Sequence, residues 1–173
     1  IAGSTHEGEE EASLAAHAAV RERYPDALLV LVPRHPQRFE SVRTLLRRRA
    51  VRHAQRSSGA LPAADDAVFL VDTLGELQMF YAAADIAFVA GSLVPIGGHS
   101  LLEPAVLGLP MLSGPHTQNS QDIADLFEQA GALRIVRSQD ELGYRLLDWF
   151  GNAEQARADR TRGRDAVAAN RGA

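Results

Sequence analysis

The sequence predicts a doubly wound α/β domain: a Rossmann-like, mostly parallel sheet with helices on both faces. Three observations carry that expectation. Short apolar runs of strand length alternate with longer helical patterns, the order of βαβ units. The 173 residues, 46% hydrophobic and 23% charged, suffice to bury the core of one domain spanning residues 1–173. The residues with useful chemistry recur just after the apolar runs, the edge at which open α/β sheets bind ligands.

Taken in order, Ile1-Ala2 reads as the last step of a buried strand and Gly3-Ser4-Thr5 as the turn after it. Glu7, Glu9, Glu10 and Glu11 open a helix that closes near Arg23, acidic first and basic last as the helix dipole favours. The acidic run itself reads as a solvated helix start. Leu28 to Val32 is a near-continuous apolar strand ending at Pro33, and Phe39 to Arg49 is helical. Arg52 to Asp65 is a polar connection. Ala67 to Val71 is the next strand, Gly75 to Ala84 a helix, and Ile86 to Val89 a strand. The glycine-rich loop Gly91 to His99 leads into a short helix from Ser100 to Leu107. Pro110 to Ser113 and Leu133 to Val136 are strands, with a helix from Asp122 to Gln129 between them and another from Asp140 to Phe150 beyond. The tail from Ala153 is helix-forming but weakly apolar, fraying over Asn170 to Ala173.

Composition narrows the function. A formal net charge of -4 argues against a nucleic-acid partner, whose binders are usually basic. There is no cysteine, so disulfides, thiolate metal sites and cysteine nucleophiles are excluded. No apolar stretch approaches the roughly 20 residues that span a bilayer. Because the chain opens on the end of a core strand, the expectation is a domain cut from a longer protein.

The chemistry collects at one edge. His6, His35, His99 and His116 all lie on loops that follow strands. Gly97-Gly98-His99-Ser100 precedes a helix, so backbone N–H groups can approach an anion closely; a tight turn without a ligand fits the same residues. Glu103 is placed to accept bonds from vicinal hydroxyls. Arg34, between Pro33 and Pro36, suits a fixed phosphate, or equally an ion pair with Glu7 or Asp72. No phosphate-binding loop, nucleophile elbow or Gly-x-Gly-x-x-Gly is present, and no helical histidine pair suggests a metal.

Together the stretches Ala2 to Glu10, Pro33 to Pro36, Asp72 to Leu77, Gly97 to Pro104 and Gly114 to Asn119 resemble, in order and spacing, the C-terminal half of the 3-deoxy-D-manno-octulosonic acid (Kdo) transferases of Gram-negative lipopolysaccharide assembly. The resemblance implies the C-terminal half of a GT-B glycosyltransferase, inverting, that binds CMP-Kdo. It also implies a lipid A precursor as acceptor, held by an N-terminal domain outside this chain, with the catalytic base there. No catalytic residue, cofactor or metal is therefore expected here, and the chain alone is expected to be inactive. Position by position, Ser4 and His6 would face the cleft, Arg34 would meet the phosphate or base, and Leu74 and Gly75 would line the cytosine pocket. The Gly97-Gly98 turn would approach the phosphate or the sugar carboxylate, His99 and Ser100 would belong to the same substrate-binding set, and Glu103 would hold the ribose. Ser100 departs from the asparagine usual after Gly-Gly-His. The full enzyme would sit at the cytoplasmic face of the inner membrane, anchored by the other half.

Two alternatives compete. A UDP-N-acetylglucosamine 2-epimerase shares the architecture and a ribose-binding glutamate. A non-catalytic α/β nucleotide-binding module, such as a receiver-like domain, would need an acidic triad that is missing from the first strand.

Overall fold

A computed structural model describes residues 1–171. Its centre is a seven-stranded sheet, every pairing parallel, in the order β3-β4-β2-β1-β5-β6-β7. The elements run β1 (Ala2–Thr5), α1 (Glu9–Arg23), β2 (Leu29–Pro33), α2 (Phe39–Arg48), β3 (His53–Gln55), β4 (Val68–Leu70), α3 (Leu77–Ala83), β5 (Ala87–Val89), α4 (Leu102–Val106), β6 (Met111–Ser113), α5 (Gln121–Gln129), β7 (Leu133–Ile135), α6 (Gln139–Gly151) and α7 (Ala153–Ala169). Strand order reverses between β2 and β5, on either side of β1, which opens a crevice at the carboxyl edge.

Helices cover both faces, and the strand alternation shows how. Phe88, Ala90 and Leu112 join Leu14 and Ala16 of α1, Leu46 of α2, and Leu142 and Trp149 of α6 in one buried cluster. The alternate residues Val89 and Met111 point the other way, to Leu101 and Ala105 beside and on α4, Phe127 of α5 and Ala166 of α7. Each face thus buries several large side chains, each worth about 1.5–3 kcal/mol.

Four expectations change. The Arg52–Asp65 connection contains strand β3, which pairs His53–Gln55 with Val68–Leu70. It lies at the sheet edge with every side chain half-buried, so it carries no apolar signature. Gly3-Ser4-Thr5 is not a turn: the first strand continues through Thr5. The helix expected from Gly75 begins at Leu77, and the one expected over Ser100–Leu107 is the five-residue α4. The weakly apolar tail is helical as expected, and one buried carboxylate ties it down. Asp159, 1% exposed, accepts from Trp149 Nε1 (2.7 Å), Arg134 Nη2 (3.0 Å), Gln155 Nε2 (2.9 Å) and Arg162 Nη1 (3.1 Å). Those bonds join β7, α6 and α7. The expected fraying at Gly172 and Ala173 lies outside the described residues.

Candidate functional site

β4, β2, β1 and β5 are neighbours, and the loops after them enclose a cleft of about 300 Å³. Ser4, Arg34, Leu74, Gly75, His99, Ser100 and Glu103 line it, with Thr73, Glu76 and Tyr81. His6, Gly97 and Gly98 are not among the residues that line it. A larger cavity of about 610 Å³ opens at the opposite, amino edge, between Val20, Tyr24, Leu29, Ile86, Leu142 and Phe150. Its walls are mostly apolar and include none of the expected site residues, so the smaller cleft is the candidate.

Ser4 owes its place to a local irregularity. The β1–β2 register steps from Gly3↔Val32 to Thr5↔Pro33, leaving Ser4 as an extra residue. Its φ is 61°, which a non-glycine residue adopts only when its surroundings hold it there. Such bulges re-aim side chains at strand ends. Next to it, Gly3 is required by contact: a Cβ there would lie 2.2 Å from the hydroxyl oxygen of Tyr81, the buried floor of the cleft. Burial, aided by Glu103, raises the Tyr81 hydroxyl well above its ordinary pKa, so it stays protonated.

Arg34 is held by its backbone, whose N–H donates to Thr5 O at 3.0 Å, while its side chain is exposed. The structural pairings open to it are not made. Asp72 accepts instead from Arg43 Nη2 (3.0 Å) and from Ser57 N (2.8 Å) and Oγ (2.6 Å). Among the described residues no carboxylate pairs with Arg34, so its guanidinium is available to a ligand's anion.

Three of the four loop histidines converge. His6 and His99 lie Nε2 to Nε2 at 2.8 Å, one donating and the other accepting, and His35 meets His6 edge-on at 5.5 Å between centroids. Burial lowers both pKa values, with neighbouring His35 and Arg34 adding to it, and His99 falls to about 4. The pair is therefore neutral at pH 7, suited to hydrogen bonding and not to ion pairing.

The acidic run after β1 overturns its expected role. Glu7 is exposed, but Glu9 and Glu10 are each 0% exposed. The Glu9 carboxylate accepts from the backbone N–H groups of Gly91 (2.8 Å), Ser92 (3.1 Å), Leu93 (3.1 Å) and His6 (3.0 Å). It clasps the loop after β5 to the start of α1. Glu10 faces Arg38 at 3.2 Å; burial outweighs that partner and raises its pKa. Position in sequence alone could not separate these glutamates, since a dipole-complementing surface run looks the same.

The glycine turn is clamped from behind. Gly98 N donates to Gly91 O at 2.7 Å, Asn119 N donates to Gly97 O at 2.9 Å, and Asn119 Nδ2 donates to Gly98 O at 3.1 Å. A Cβ on Gly97, at φ 105°, would strike Asn119 at 2.7 Å. Gly98 has thus spent its N–H within the protein. With α4 only five residues long and Pro104 inside it, the helix dipole is also weak. Glu103, half-buried on that helix, faces the cleft.

Comparison with known proteins agrees with this geometry. No family model matches the chain. It is 42% identical over 158 residues to the 3-deoxy-D-manno-octulosonic acid transferase of Haemophilus influenzae, covering 91% of the chain and 37% of that protein, so it spans little more than a third of that relative's length. It superposes with a TM-score of 0.92 and 32% identity on the C-terminal CMP-Kdo binding domain of WaaA from Acinetobacter baumannii, covering 96% of the chain and 86% of that domain. The glycosyltransferase WaaG shares the fold, with a TM-score of 0.60 at 18% identity over 96% of the chain and 42% of WaaG. The architecture is that of the C-terminal half of a GT-B glycosyltransferase.

Proposed function

The chain belongs to the 3-deoxy-D-manno-octulosonic acid transferase family, and on that premise we propose that it is the donor-holding domain of an inverting glycosyltransferase that moves Kdo from CMP-Kdo to a lipid A precursor. The observation that carries the proposal is the convergence of Ser4, Arg34, Leu74, Gly75, His99, Ser100 and Glu103 on one cleft at the carboxyl ends of four adjacent strands. In this reading the unpaired Arg34 meets the phosphate and Glu103 accepts from the ribose hydroxyls. Leu74 and Gly75 border the cytosine. The neutral His6–His99 pair and the Gly97–Gly98 turn shape the sugar side, and Ser100 supplies a shorter polar contact than asparagine would.

During transfer the bond from the Kdo anomeric carbon to the CMP phosphate breaks as an acceptor oxygen bonds to that carbon. Charge then develops on the departing phosphate, where the unpaired guanidinium of Arg34 helps most. The base that takes the acceptor proton, the acceptor site and the attachment to the cytoplasmic face of the inner membrane belong in this proposal to an N-terminal domain. Residues 1–173 thus form a single donor-binding domain and transfer no sugar alone.

Titration calorimetry with CMP, CDP, UMP and UDP tests the reading. The chain is expected to bind cytidine nucleotides in preference, and Glu103→Ala to weaken CMP by about tenfold while melting as the parent does. A preference for uridine nucleotides would point instead to the 2-epimerase type of site. Absence of any nucleotide binding would favour a non-catalytic module.

A further inference from the structure

We propose that the turn Arg56–Ser58, outside every motif stretch, is the device that positions the base-reading loop of the cleft, with Arg56 and Ser57 as positioning residues for cytosine specificity. The inference rests on the donor-binding reading and deepens it.

The loop Thr73–Glu76, after β4, has little packing of its own. Leu74 is 66% exposed, and a Cβ added at Gly75 would meet nothing within 4 Å. Polar contacts hold it, at both ends. At its start the Asp72 carboxylate takes the Ser57 N–H and hydroxyl and one nitrogen of Arg43. At its finish the Glu76 carboxylate takes Arg56 Nη2 (2.9 Å) and Nε (3.2 Å), together with the Thr73 hydroxyl (2.5 Å). Two consecutive residues, 56 and 57, therefore pin the two ends of one loop whose residues 73 to 76 all line the cleft.

The chemistry of pyrimidines makes such a brace useful. Cytosine presents an amine at C4 and an acceptor at N3; uracil presents a carbonyl and an N–H in the same places. The loop tip Leu74-Gly75 carries only backbone polar groups, whose donor and acceptor pattern is fixed. Fixed groups reject the reversed pattern strongly, because a mismatch leaves them unpaired. That discrimination survives only while the loop stays within a few tenths of an ångström of one position. Arg56 and Glu76 are both partly exposed, so their fork-like pairing adds little to global stability. Its consequence is local order.

The test compares Arg56→Ala, Arg56→Lys, Glu76→Ala and the double alanine variant with the parent chain. Calorimetry with CMP and UMP is joined by amide exchange at Leu74 and Gly75 without nucleotide. Arg56→Ala is expected to bind CMP about tenfold more weakly, to lose most of its preference over UMP, and to exchange both amides faster. Arg56→Lys is expected to recover only part of this, since an ammonium lacks the two-point fork. The double variant should be no worse than Glu76→Ala alone. Parental affinity, preference and exchange in Arg56→Ala would overturn this inference alone. A parent chain that binds no cytidine nucleotide would overturn the donor reading, and this inference with it.

Discussion

Glu9 shows how much one side chain can organise. A carboxylate with no exposure is costly unless its oxygens are saturated, and here four backbone N–H groups saturate them. The result fixes Gly91, whose carbonyl takes the Gly98 N–H, and so fixes the glycine turn and His99 beyond it. Glu9→Gln presents an amide N–H where an acceptor is needed and removes the charge that strengthens the remaining bonds. The expected cost is about 2–4 kcal/mol, read as a thermal midpoint lower by roughly 5–15 °C. A shift under about 2 °C would mean that the clasp contributes no net stability.

Between elements, the loops after β5 and β6 meet backbone to backbone. A Cβ on Gly114 would lie 2.2 Å from Ser92 O and 2.3 Å from Leu93 N, atoms that cannot swing aside as a side chain could. Ser92 Oγ also accepts the Gly114 N–H at 2.8 Å. Gly114→Ala is therefore expected to destabilise by about 3 kcal/mol or more, or to prevent folding. Gly163→Ala is the control: in α7 its new methyl meets only Ala132 Cβ at an ordinary 3.6 Å. Helix propensity then favours alanine by up to about 1 kcal/mol. Denaturant midpoints for both variants check the contrast, which would collapse if Gly114→Ala matched the parent.

For the whole molecule the consequence is sensitivity to acid. His6, His17 and His99 all have folded pKa values lowered, chiefly by burial, with His17 and His99 brought to about 4. Burial keeps the His17 ring neutral, against the opposing pull of its Nε2 bond to Ala27 O (2.9 Å), and Arg21 disfavours a second positive charge beside it. An imidazole with a depressed folded pKa adds stability above its unfolded value near 6.5, and that stability drains away as pH falls toward 4. For His17 the full span is on the order of 3 kcal/mol. Glu10, raised by burial, acts in the opposite sense, its contribution being lost as pH rises through its folded value. Equilibrium unfolding should show stability falling between pH 7 and 4.5, and His17→Gln should flatten that slope while keeping a donor for Ala27. A slope as steep in the variant as in the parent would contradict the assignment.

Most of the α/β alternation was legible in the chain because buried parallel strands are short apolar runs, a one-dimensional pattern that survives without knowledge of neighbours. The loops after those strands were legible too, since glycine, proline and histidine punctuate them. Strand β3 was not, because an edge strand is held by backbone bonds that leave no hydrophobic trace in its side chains. Nor was the division among the acidic residues. Glu7 reaches solvent, Glu9 gathers a distant loop, Glu10 meets Arg38, and Asp159 anchors the last helix. Whether a carboxylate is solvated or saturated depends on N–H groups as far as 84 residues away in the chain, and only the folded sheet brings those groups to it.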